Sequence, residues 1–189
     1  MKGRKMKVVP YELSMADAIR QICLKTAGDD LSLEQQIYTL AMYCDGYLEN
    51  GICYVLVDDE NTPKGYILCE QDYREYEKRM EPVLEQLQSL PPIFGAMAAG
   101  EMAGYAVYRS EYPAHLHMDI LEECTHCGGG TMLMEAVIRH LKEIGAPGLM
   151  LMASTGNQRA IAFYKKCGMH ILSANHACVM MGLQFLDRK

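Results

Sequence analysis

The sequence predicts a mixed α/β fold, on three observations. Two runs rich in aliphatic and aromatic residues, Ile52–Val57 and Gly65–Glu70, flank a polar segment with Asn61, Thr62 and Pro63, which is the pattern of a hairpin. Beyond Pro113 the apolar period alternates between that of a strand and that of a helix. Between the first of those strands and its helix stands a run of glycines, Gly128, Gly129 and Gly130. Half of the 189 residues are apolar and 22% are charged, which suffices for one buried core and is far from disordered composition. A single domain over 1–189 is the expectation at this length.

Residues 6–11 read as an opening strand. A helix follows with Ser14 as its cap, Asp17 at its positive end and Gly28 at its close; Ala18, Ile19, Ile22 and Cys23 make its apolar face. A second helix is predicted from Leu33 to about Leu48, with Ile37, Leu40, Ala41 and Cys44 at helical spacing and Gly51 beyond it. The hairpin comes next. Asp72–Leu90 then reads as a charged helix interrupted by Pro82, and the Pro91-Pro92 pair as the best internal boundary, since neither residue can continue a helix. Ala96–Tyr108 is a small-residue helix weakened by Gly100 and Gly104. The remainder reads as strand His115–Leu121, helix Gly130–Ile144, strand Gly148–Ala153, helix Asn157–Cys167 and two further strands.

Charge and composition exclude several function classes. A net charge of -6 offers no basic stripe for nucleic acid, and suits a basic substrate by sign. The start, Met-Lys-Gly-Arg-Lys-Met-Lys, has the charge of an export leader but no apolar stretch behind it, so export is not expected. The stretch 90–108 has the length of a membrane span, yet its two prolines, three glycines and Glu101 indicate a buried or interfacial segment, one that could cover a homodimer partner or the mouth of a site. Most of the eight cysteines sit in apolar runs, as in Ile52-Cys53-Tyr54-Val55, so free thiols in a reducing cytoplasm are expected. Cys124-Thr-His-Cys127 lacks the second ligand pair of a structural zinc site, so no metal is expected there. The 15 methionines read as adaptable core filler.

The order strand, glycine loop, helix makes an anion site: glycines let the backbone approach a ligand, and unpaired amides at the helix start point at it. Pyrophosphate suits such a site. Neither a GKT ending nor GxGxxG is present, which counts against a P-loop and a dinucleotide fold.

The next segment narrows the ligand. Asn157-x-x-Ala160-x-x-Phe163-Tyr164-x-x-x-Gly168-Met169 resembles the second signature of the GNAT acetyltransferase superfamily, and Thr125-His126-Cys127-Gly128-Gly129-Gly130 resembles its Q/R-x-x-G-x-G/A motif. The resemblance is strong from about Tyr112 to Leu172. Ile22–Thr26, Gly65–Leu68 and Tyr112–His117 are similar, more loosely, to a bacterial branch related to the acetyltransferase-like domain of O-GlcNAcases. Two positions depart from the pattern: Thr125 stands where Gln or Arg is usual, and Glu122 where Pro is common.

The resemblance implies a mostly antiparallel sheet of six to seven strands, helices on both faces, and a splayed fourth strand. It implies acetyl-CoA as co-substrate, bound through 112–172, and transfer of its acetyl group to a small-molecule or peptide amine. Backbone groups of Met118, Asp119 and Ile120 would hold the pantetheine arm, and the loop from Thr125 and His126 through Cys127, Gly128, Gly129 and Gly130 to Thr131 the pyrophosphate. Asn157 and Ala160 fall beside the cofactor arm. Tyr164 falls where relatives protonate the departing thiolate, a role that suits a phenol. The acceptor amine must lose a proton, and Asp119 and His117 share one strand face with Leu121, so either of them, or a water, could take it; Glu70 and Glu122 are further carboxylates in the region. Helix core packing by Phe163 and Tyr164 and local pairing by Asp119 are the plainer alternatives, and Phe163 is assigned to the core. A CoA-binding or sensor module without catalysis is the alternative for the whole chain.

Overall fold

A computed structural model describes residues 5–185. The first four residues, part of the basic start weighed above as a leader, lie outside the described residues, as do the last four of the expected domain. The strands are β1 Lys7–Pro10, β2 Ile52–Val57, β3 Pro63–Glu70, β4 Ala114–Ile120, β5 Gly148–Ser154, β6 His170–Ala174 and β7 Cys178–Gln184. They form one sheet in the order β1-β2-β3-β4-β5-β7-β6, antiparallel throughout except between β4 and β5. That parallel pair is short: Ala114 faces Leu149 and His115 faces Met150. Farther on, β4 pairs only with β3, while β5 pairs along its length with β7. The two strands therefore part after His115, the splay that the resemblance implied.

Helices cover both faces. On one lie α1 Ala16–Ala27, α2 Leu33–Leu40, α3 Gly46–Leu48, α4 Tyr73–Leu87 and α5 Pro92–Tyr108; on the other, α6 Gly129–Glu143 and α7 Gln158–Lys166. The strand pleat sends alternate residues to the two layers. Val55, Val57, Tyr66, Leu68 and Met150 pack toward α1–α5, whereas Leu56, Ile67, Cys69, Leu149 and Leu151 pack toward α6 and α7.

Several elements differ from their sequence expectation. Ser14 caps nothing: residues Leu13–Met15 form a 3₁₀ turn that leads into α1 without a side-chain cap. The helical run from Leu33 does reach Leu48, but Ala41–Asp45 is a π-turn. Its extra residue shifts the face presented by the residues that follow; Tyr38 is buried before the turn and Met42 and Cys44 within it, while Ile37 is exposed. Ser32 starts this run with a capping box, accepting from Gln35 N–H while the Gln35 side chain accepts from Ser32 N–H. Pro82 does not interrupt α4, and Pro92 opens α5 from its first turn, where a missing N–H has no consequence.

Buried on β4 is His115, ringed by Tyr47, Tyr73, Tyr76 and Tyr105 at centroid distances of 4.5–5.3 Å. Neither ring nitrogen has a hydrogen-bond partner among the described residues. Burial, with the Arg79 charge adding to it, holds this imidazole at a pKa of about 3. All eight cysteines are free thiols. Among the described residues no helix is long and apolar enough to cross a membrane; α5 buries Ala98, Met102 and Tyr105 and exposes Ile93, Met97 and Val107.

Candidate active site

The parting of β4 from β5 opens a cavity of about 770 Å³. Met118, Asp119 and Ile120 of β4 form one wall; Thr125, His126, Gly128, Gly130 and Thr131 of the loop and first turn of α6 form the second; Asn157, Ala160, Phe163 and Tyr164 of α7 form the third. Most of the residues expected from the sequence therefore meet around one space. Cys127 and Gly129 do not line it. Cys127 turns back into the loop, its thiol donating to Cys124 O at 2.7 Å, and Gly129 packs against the sheet, where an added Cβ would stand 2.3 Å from Leu56 Cδ2.

Each glycine in the loop has its own physical reason. Gly128 caps α6 with φ at +79°, left-handed backbone that side chains disfavour. A Cβ on Gly130 would lie 3.1 Å from Phe163 Cζ and 3.5 Å from Ile120 Cδ1, so its absence keeps the cavity open between two walls. The first helical bond recorded at this end runs from Met132 N–H to Gly128 O, and the first-turn amides ahead of it have no acceptor four residues back. Those amides carry the positive end of a helix of 15 residues.

Thr125 faces its own loop, donating from Oγ1 to Glu122 O at 2.9 Å. Lys25 from α1 and Arg159 from α7, neither singled out by the sequence reading, bring positive charge to the cavity, while Asp29, Glu122 and Glu123 bring negative. Of these five the sequence marks only Glu122; Lys25, Asp29, Glu123 and Arg159 occupy positions that no motif letter specifies. Asn157 caps α7 through Oδ1, accepting from Ala160 N–H at 3.0 Å.

Tyr164 is almost fully buried against this cavity. Burial raises its phenol pKa, and the Asp119 carboxylate and the Cys167 thiol push the same way, so the hydroxyl keeps its proton. Asp119 is anchored from two sides: Tyr66 Oη donates to its Oδ2 at 2.5 Å, and His117 Nε2 lies 2.9 Å from the same oxygen. Tyr66 stands directly opposite Asp119 in the β3–β4 register. Burial favours the neutral carboxyl of Asp119, but the His117 charge and hydrogen bonds from His117, Tyr66 and Thr26 outweigh it and lower the pKa. Burial likewise opposes charge on His117, and Asp119 reverses the balance, lifting the imidazole to about 9.

Beyond this pair the polar contacts continue. The Tyr43 ring stacks on His117 with centroids 5.0 Å apart, and Tyr43 Oη donates to Glu101 Oε2 at 2.8 Å. The Cys23 thiol, shifted downward first by a hydrogen bond from Cys44 and also by the His117 charge, packs on the same side. Tyr43 and Cys44 both belong to the π-turn, whose altered phase aims them at β4 and α1.

Comparison with known proteins follows the same residues. A family model described as the acetyltransferase (GNAT) family matches residues 67–169. Among solved structures, that of SsHAT superposes with a TM-score of 0.83 at 24% identity, covering 97% of this chain and 100% of the other. The polyamine N-acetyltransferase of Drosophila melanogaster, described as catalysing formation of N-acetylagmatine, gives a TM-score of 0.67 at 13% identity over 96% of this chain and 100% of its own. An agmatine N-acetyltransferase gives 0.67 at 14% identity over the same shares. At these identities the likeness is one of fold.

Proposed function

The chain belongs to the GNAT acetyltransferase family, whose members are N-acetyltransferases, and on that premise we propose that it moves an acetyl group from acetyl-CoA to a primary amine by direct transfer. One observation carries the reading: a single cavity at the β4–β5 split gathers the start of α6, Asp119 and Tyr164. The thioester would supply an acetyl group already activated toward nucleophiles.

The lining suits a CoA thioester. Phosphate is favoured by the first-turn amides of α6, and Lys25 and Arg159 offer the positive charge that Thr125 lacks. Met118, Asp119 and Ile120 have no β5 partner across the split, so backbone groups on that edge are open to an amide-bearing arm. Thr125, His126, Cys127, Gly128, Gly129, Gly130 and Thr131 make up the phosphate loop and helix start in this reading, with Asn157 and Ala160 beside them. Tyr164, held protonated, gives its proton to the departing thiolate. Asp119, oriented by Tyr66 and His117, draws the acceptor ammonium, and Asp119 or a water takes up its proton.

A cationic acceptor, small-molecule or peptide, is favoured because Asp29, Asp119, Glu122 and Glu123 share the cavity. The fold likeness to enzymes named for polyamines and agmatine agrees with that class. The chain acts here as one domain on one sheet, and its free thiols suit a cytoplasmic setting. A second reading, CoA binding without turnover, rests on Thr125, which stands where the family pattern has Gln or Arg and faces its own loop.

Thermal shift with acetyl-CoA against truncated CoA tests binding, and thiol release over a panel of amines tests turnover. Stabilisation by acetyl-CoA together with amine-dependent thiol release is expected. Tyr164→Phe should cut kcat by about a hundred- to ten-thousand-fold with CoA binding retained. Unchanged turnover in that variant overturns the acid role. Binding with no turnover across the panel selects the second reading.

A further inference from the structure

On the α1 side of β4, away from the glycine loop, three side chains of unlike chemistry converge. The Cys23 thiol, a ring nitrogen of His117 and a carboxylate oxygen of Asp119 all lie within 4.8 Å of one another. A strand puts residues two apart on one face, so His117 and Asp119 point together, and α1, which packs across β3 and β4, brings Cys23 onto them. We propose that Cys23, His117 and Asp119 form a zinc site at the edge of the acetyl-transfer cavity.

The donor set selects the metal. One sulfur, one imidazole nitrogen and one carboxylate oxygen match the mixed ligands of zinc and leave its fourth tetrahedral position open. Calcium and magnesium take oxygen ligands, which this set does not offer in number. Tetrahedral bonds of about 2.0 Å to nitrogen and oxygen and about 2.3 Å to sulfur put neighbouring donors about 3.3–3.6 Å apart. The present His117–Asp119 separation of 2.9 Å would widen by a few tenths of an ångström, and the thiol would close in by side-chain rotation. Zinc takes the place of the proton lying between His117 Nε2 and Asp119 Oδ2. Binding releases that proton and the thiol proton, and a dication with one thiolate, one carboxylate and one neutral imidazole is electrically balanced.

Outer groups hold the ligands. Tyr66 Oη donates to Asp119, and Tyr43, fixed by Glu101, stacks on His117, the kind of support that orients metal ligands. Asp119 lines the cavity, so a metal ion reaches the site from that side. If the mechanism proposed above holds, zinc removes the carboxylate that the acceptor amine needs, and zinc inhibits transfer.

The test uses the full chain, stripped with a chelator and titrated with cobalt(II) as a spectroscopic substitute for zinc. One equivalent should give the intense visible bands of a tetrahedral site and a thiolate-to-cobalt charge-transfer band, both abolished by added zinc. Cys23→Ser should remove the charge-transfer band, and His117→Ala should weaken cobalt binding at least tenfold, with circular dichroism confirming that each variant is folded. The double variant Cys124→Ser, Cys127→Ser should keep the band. Absence of saturable binding in wild type overturns the proposal, as does a band that survives Cys23→Ser or vanishes in the loop double variant. Because the readout is spectroscopic, failure here leaves the acetyl-transfer reading standing, and loss of acetyl transfer leaves the metal site standing.

Discussion

Replacing the loop glycines one at a time by alanine separates three roles that the run Gly128–Gly130 combines. Gly128 sits at φ +79° with nothing within 4 Å of an added Cβ, so Gly128→Ala meets only backbone strain, about 1–2 kcal/mol for a left-handed L-residue. Asn tolerates that region better, so Gly128→Asn should recover part of the loss. Gly129→Ala meets Leu56 Cδ2 at 2.3 Å, and Leu56 is 0% exposed, so the core beneath α6 must shift, at about 1–3 kcal/mol. For a chain of this size each kcal/mol lowers the melting midpoint by about 2–4 °C. Gly130→Ala differs in kind. Its Cβ meets Phe163 Cζ at 3.1 Å, a contact relieved by a small ring shift, and alanine loses less backbone freedom on folding than glycine, so stability should hardly change. The added methyl projects between Phe163 and Ile120 into the cavity, so CoA affinity should fall at least tenfold. Melting scans and calorimetric CoA titration of the variants check both columns of effects. Wild-type CoA affinity in Gly130→Ala, or wild-type stability in Gly129→Ala, refutes the reasoning.

Two further outcomes concern the core. His115→Leu removes an imidazole whose two nitrogens lack partners and should stabilise the fold by about 1 kcal/mol at pH 7. Its folded pKa of about 3 lies below the unfolded value of about 6.5, so wild type loses stability as pH falls below about 6.5 and the advantage of the variant should grow by about 2 kcal/mol at pH 5; equal pH dependence in urea titrations of the two proteins counts against the cage. Arg79→Met strands the buried Glu70 carboxylate, to which Arg79 donates; the loss should be about 2 kcal/mol at neutral pH, discounted from the 3–5 of a fully buried pair because Arg79 is a third exposed. Chemical denaturation of Arg79→Met measures it, and a loss under 0.5 kcal/mol, roughly that of a surface pair, is the contrary result.

What the sequence displayed was local. Strand β4, the glycine loop, α6 and α7 each carry their own signal: a period of two, residues that permit unusual backbone, and Asn157 at a cap. That they act together is an expectation from a resemblance; the structure sets β4, the loop, the start of α6 and α7 around one cavity, with Cys127 and Gly129 turned away from it. The π-turn Ala41–Asp45 gave no such signal, because tyrosine and methionine at 38, 42, 43 and 47 fit either phase of a helix. Its consequences reach the site, since Tyr43, within the turn, stacks on His117. Tyr66 and Asp119 pair across 53 residues of sequence, and the order β5-β7-β6 likewise depends on long-range pairing, which periodicity does not encode.

The two histidines of β4 show why a shared strand face is a weaker guide than its surroundings. His115 and His117 point the same way, two residues apart, yet one titrates at about 3 and the other at about 9. His115 lies where β4 is paired on both sides, under four tyrosine rings and with no counter-charge. His117 lies just past the split, with Asp119 at 2.9 Å and Tyr43 stacked on it. The same side chain is core filler on the closed half of the strand and half of an ion pair on the open half. The parting of β4 from β5 therefore does more than admit a ligand: it marks where along this strand a buried polar residue can keep a charge.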